Sequence, residues 1–234
     1  ENEEIFLTIS QKILLEVTSA QPNTRTLRGG GDVDNPVGSA LNHPVGLITE
    51  ALLSLWIKRE PSDNSLIPID LKPIFTSLCA ISSDTFIHGR VQLAMRSLLI
   101  YRADPEWFRC NLLPFFNWSN SKEARAAWSG LLTSPRLYLP ILMELKGNLL
   151  SCAAHYEELS ESRSQYSAFI THVAINSLDG FSVEEMRAAF EALPMEGLEN
   201  AAQTLAQLLE SAGDQKEEYW KHRVKPLLDE IWPK

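Results

Sequence analysis

Helix start and stop signals recur along the whole of this 234-residue chain, and no strand pattern competes with them. Asp104-Pro105-Glu106 combines an N-cap, a proline at the first helical position and an acid at the positive helix end. Asn120-Ser121-Lys122-Glu123 and Ser182-Val183-Glu184-Glu185 have the spacing of a capping box. Asn42-His43-Pro44 reads as another start, and Gly213 as a C-terminal stop. The signals predict helices over 44–59, 69–81, 85–102, 136–160, 163–178, 183–193, 197–212 and 214–231. Ile5, Ile9, Ile13 and Val17 mark one apolar face of a first helix. No segment alternates apolar and polar residues as a half-buried strand does. Restarts fall about every 15 to 20 residues, which gives pairs of about 35 to 40, near the HEAT-like period. The expected fold is all-α, a single helical domain over 1–234 built of stacked antiparallel helix pairs. It is either a HEAT-like α-solenoid or an irregular helical bundle. The one long irregular stretch, Gln21–Gly38 with Gly29-Gly30-Gly31, is expected to be a flexible loop.

Composition narrows the partners. Net charge is −9, with 21 basic against 30 acidic residues, so a nucleic-acid surface is not expected. No apolar run reaches the roughly 18 residues that cross a bilayer. Three widely spaced cysteines, Cys79, Cys110 and Cys152, do not form a disulfide framework. They read as small buried apolar residues in a reducing, cytoplasmic compartment. The chain opens on Glu1 without an initiator Met, as expected of a fragment or processed chain.

Motifs that carry chemistry fail one by one. The triple glycine lacks the strand, the helix and the Lys-Ser or Lys-Thr of a phosphate loop, and Asp32 and Asp34 follow it. Asp32-Val33-Asp34-Asn35 starts like a calcium loop but has Val37 and His43 where Gly and Glu belong. Cys152 and His155 are a pair where a metal needs three or four ligands. Neighbouring acids such as Glu157-Glu158 diverge on a helix and do not make an acid/base pair. Neither a cofactor nor a metal is expected, and no catalytic residue is assigned.

Residues 102–128 are the richest segment, with Trp107, Phe108, Phe115, Phe116, Trp118 and Trp128 among Arg102, Arg109 and Arg125. Most of these rings are expected in a core between helix pairs. One or two are expected exposed beside an arginine, as interface hot spots are. The candidate partner-binding residues are therefore Arg102, Trp107, Arg109, Trp118 and Arg125.

The phrases His43-Pro44-Val45-Gly46-Leu47, Ser134-Pro135-Arg136-Leu137-Tyr138, Tyr219-Trp220-Lys221 and Ile231-Trp232-Pro233-Lys234 carry a resemblance. The chain resembles the helical C-terminal region of large bacterial proteins with an N-terminal sirtuin-like domain, of the anti-phage defence type. The resemblance implies NAD consumption elsewhere in the parent chain, and a sensing or assembling role for the helical part. The expected function is thus a non-catalytic interaction or regulatory domain whose partner is a protein or another domain of the parent. The alternative is a hydrolase or nucleotide-processing enzyme with a site assembled from distant residues.

Overall fold

The structure, a computed structural model, describes residues 2–19, 35–80, 86–176 and 179–234. It is all-α: every regular element among the described residues is helical. Where the sequence predicts one domain over 1–234, the chain divides into two compact units, Glu1–Ser134 and Pro135–Lys234. The break falls at Ser134-Pro135, where a proline cannot continue the preceding helix.

The first unit holds α1 (Asn2–Ser19), α2 (Pro36–Asn42), α3 (Pro44–Lys58), α4 (Lys72–Leu78), α5 (Ile87–Met95), α6 (Ser97–Ala103), α7 (Pro105–Trp107) and α8 (Ser121–Leu132). Of the loop predicted over Gln21–Gly38, positions 21–34 lie outside the described residues. Positions 35–38 are not loop. Asn35 Oδ1 accepts the Gly38 amide at 2.6 Å, and Pro36 opens α2. That is an ordinary cap-plus-proline start hidden among the loop-forming residues. The helix predicted over 85–102 breaks in two at Arg96, between α5 and α6.

α5 is the hub of this unit and packs against α2, α3 and α8. Its approach to α8 needs Gly130, where a Cβ would lie 2.6 Å from the Val91 carbonyl oxygen. Ala40, Val91 and Ala126 meet where α2, α5 and α8 converge. The loop between α3 and α4 follows the end of α6, with the Asn64 and Leu66 amides bonded to the Arg102 and Ala103 carbonyls.

The second unit holds α9 (Leu139–Ser151), α10 (Arg163–Ile175), α11 (Val183–Glu191), α12 (Met195–Ser211), α13 (Lys216–Tyr219) and α14 (Lys225–Glu230). The long helix predicted over 136–160 stops at Ser151. It continues as 3-10 turns over Cys152–Ser162 that are interrupted at His155 and Ser160, the latter at φ 51° and ψ −119°. The capping box at Ser182 and Glu185 forms with both of its hydrogen bonds. Tyr166 donates its hydroxyl to the Leu149 carbonyl at 2.9 Å, and Phe190 meets Trp232 with ring centroids 5.9 Å apart.

Candidate functional site

The Arg102–Trp128 segment builds the core of the first unit. Trp107 is 3 % exposed and donates its indole N–H to Thr76 Oγ1 at 2.9 Å. Trp118 is 8 % exposed, and Trp128 is buried with its N–H on the Phe116 carbonyl at 3.1 Å. Phe116 and Trp128 pack edge to face at 5.1 Å, and Tyr101 and Phe108 at 5.5 Å. The expectation of one or two exposed rings is therefore corrected: every Trp and Phe of the segment is buried. The reason is local. Asp104 caps α7 through the Trp107 amide at 3.1 Å, and also takes Lys72 Nζ at 2.8 Å and the Ile67 amide at 3.4 Å. Burial pushes the Asp104 carboxyl up, but Lys72 and the two amides outweigh it and hold it below its ordinary value. So anchored, the segment turns its rings inward. Of the arginines, Arg102 is exposed and paired with Asp63 at 2.8 Å. Arg109 is exposed, 4.0 Å from Glu106 and over the Tyr101 ring. Arg125 is half-buried.

Exposed large apolar residues lie elsewhere, several of them together on α1. The apolar face marked in the sequence is turned to solvent: Ile5 is 51 %, Ile9 50 % and Ile13 37 % exposed. Ser10 and Leu14 are buried in their place. Arg59 at the end of α3 bonds Glu3 at the start of α1 and Asp70 at 2.7 Å, which ties the helix down by its first turn. Between α1 and α4 runs an open cavity of about 360 Å³ lined by Gln11, Leu14, Leu15, Pro73, Ile74, Ser77 and Phe86. Three isoleucines one turn apart make a continuous apolar stripe, with Glu4, Lys12 and Glu16 exposed on the same helix.

A buried polar pair joins α5 to the start of α8, beside the end of α4. Arg90 and Glu123 are both buried and joined by two hydrogen bonds, of 2.9 and 2.5 Å. Arg90 Nη1 also donates to the Leu78 carbonyl at 3.0 Å, and the guanidinium lies 4.9 Å from the centre of the Phe115 ring. Burial pushes the nearby Cys79 thiol up to about 12, against the pull of Arg90, so it is an inert apolar neighbour. Cys110, expected to be buried, is instead exposed. Beside this pair, the rings of His43 and His88 stack with centroids 4.1 Å apart and 23° between planes. Burial lowers the His43 pKa. His88 is brought down to about 4 by burial, with His43, Arg90 and Lys122 adding repulsion.

A histidine whose folded pKa lies below its unfolded value of about 6.5 favours the unfolded chain once protonated. The contribution of the pair to stability is therefore whole above about pH 6.5. It erodes as the pH falls toward the folded value of about 4. Thermal melting should show Tm falling across this window in wild type and falling less in His88→Phe. An equal fall in both would refute the assignment.

Comparison with protein families, with curated proteins and with solved structures finds no match. Among the described residues, no three or more His, Cys, Asp or Glu are grouped so as to hold a metal ion. No described helix is long and apolar enough to cross a membrane.

Proposed function

We propose that the chain is a non-catalytic interaction or regulatory module of a larger bacterial protein, and that α1 is its docking face. The observation that carries the reading is the exposed isoleucine stripe Ile5, Ile9, Ile13. A helix that keeps three such residues in water presents surface of the kind that partners cover. The occupant that fits is an amphipathic helix with apolar anchors one turn apart and basic flanks. Its charge complements α1, where Glu4 and Glu16 outnumber Lys12, and a chain of net charge −9. A second copy fits less well. One 18-residue helix is short of the roughly 800 Å² per partner that stable dimers bury. The resemblance to helical regions of sirtuin-type defence proteins supports placing that helix in the parent chain or a defence partner. The buried rings of the Arg102–Trp128 segment offer nothing to a partner, and its exposed arginines, Arg102 and Arg109, each face an acid, Asp63 and Glu106.

The probe is a synthetic amphipathic helix of Leu and Lys, compared with one of Leu and Glu. The chain should bind the Leu/Lys peptide more tightly, and Ile9→Glu should weaken binding by about 2 kcal/mol, as hot spots do. Because Ile9 is half exposed, Tm should stay nearly unchanged. Equal binding by the variant, or by the Leu/Glu peptide, sinks the docking reading. A concentration-dependent dimer abolished by Ile9→Glu would reassign the face to self-association.

A further inference from the structure

His43 is the single residue between α2 and α3, and it caps both. Its amide bonds the Ala40 carbonyl at 3.4 Å and closes α2. Its carbonyl accepts the Leu47 amide at 2.9 Å, and its ring Nδ1 accepts the Val45 amide at 3.2 Å, which opens α3. A ring nitrogen that accepts an N–H must carry a lone pair, so the neutral ring holds its proton on Nε2. Protonation of Nδ1 would set an N–H against an N–H. The elbow has no slack, because Gly46 rides directly on the Ala40 carbonyl. The other face of the junction is closed by His88 of α5, stacked on His43.

The charged and titratable groups around the stack are Arg90 on α5, Lys122 and Glu123 at the start of α8, and Cys79 after α4. Glu123 is already committed to Arg90. A proton on either imidazole is therefore a third cation beside one occupied carboxylate. What the stack holds in place is small. α2 has seven residues, and Ala40 is the one of them that is buried.

We propose that the His43–His88 stack is a proton-operated latch: the neutral pair holds α2 on α3 and α5, and protonation releases α2 while the rest of the unit stays folded.

Amide hydrogen exchange on the full chain between pH 7 and 4.5, corrected for intrinsic rates and run beside far-ultraviolet circular dichroism, tests it. Opening that takes up one proton rises about tenfold per pH unit below the released ring's pKa. Amides from Gly38 to Leu47 should follow that slope while helical ellipticity holds. His43→Asn keeps a capping acceptor that does not titrate, and His88→Phe keeps a ring that does not titrate. Both should flatten the slope. If either variant fails to fold, imidazole nitrogen shifts in wild type serve instead, and their titration should coincide with the exchange slope. The proposal is overturned if these amides open only together with α5 and α8. It is equally overturned if the folded variants keep the wild-type slope, or if the rings titrate without any change in exchange.

Discussion

Gly46→Ala is expected to destabilise the first unit by about 3 kcal/mol or more, as forced overpacking against fixed atoms does. A Cβ on residue 46 would lie 1.9 Å from the Ala40 carbonyl oxygen and 2.8 Å from its carbon. Both are backbone atoms of α2, so no side chain can swing away. Either α2 lifts from α3, with loss of the Ala40 contact to Val91 and Ala126, or the first turn of α3 distorts and the His43 cap is lost. Gly147→Ala is the control. It lies inside α9 with nothing within 4 Å of the added carbon. There alanine should stabilise by about 0.5–1 kcal/mol through helix propensity alone. Thermal or urea unfolding of the two variants should move in opposite directions. A wild-type Tm for Gly46→Ala would mean that α2 does not pack on α3 as described.

Glu123→Ala is expected to cost about 3–5 kcal/mol, because it strands a buried guanidinium. The Arg90 and Glu123 side chains are only 1 % and 8 % exposed. Without the carboxylate, Arg90 keeps the Leu78 and Ala80 carbonyls and the Phe115 ring, none of which carries a compensating charge. The charge itself is not what the fold requires. Arg90→Met with Glu123→Leu should recover most of the loss, since apolar residues of similar volume replace buried pairs at little cost. A double variant as unstable as Glu123→Ala would show that the hydrogen bonds from Arg90 to the end of α4 are indispensable. A single variant within about 1 kcal/mol of wild type would instead mean that water reaches the pair.

The candidate site was legible only in part. Periodicity finds the Ile5–Ile9–Ile13 stripe, because a helix repeats its faces every three to four residues. It does not say which side of the helix is covered. Ser10 and Leu14 are buried, and the isoleucines remain in water, because α1 is fixed to the unit by Arg59 and by its contacts with α3. The Arg102–Trp128 segment shows the reverse. Its composition resembles a hot spot, yet Trp107 and Trp128 each find a hydrogen-bond acceptor inside the unit, and the rings are buried where they stand. Trp and Arg suit a core and an interface by the same chemistry, so composition does not separate the two.

The amino-acid sequence by itself determines where several of the helices begin and end. The caps at Asp104, Asn120 and Ser182 and the stop at Gly213 form, because each joins groups no more than about three residues apart, but at Asn120 only the cap half of the expected box is made, the Glu123 carboxylate being bonded to Arg90. Tertiary structure alone decides what those helices meet. Arg90 and Glu123 are 33 residues apart, and His43 lies between α2 and α3 while His88 is on α5. Neither pair leaves a local signal, because what brings them together is the packing of α5 against α3 and α8. That depends on the packing of the whole unit.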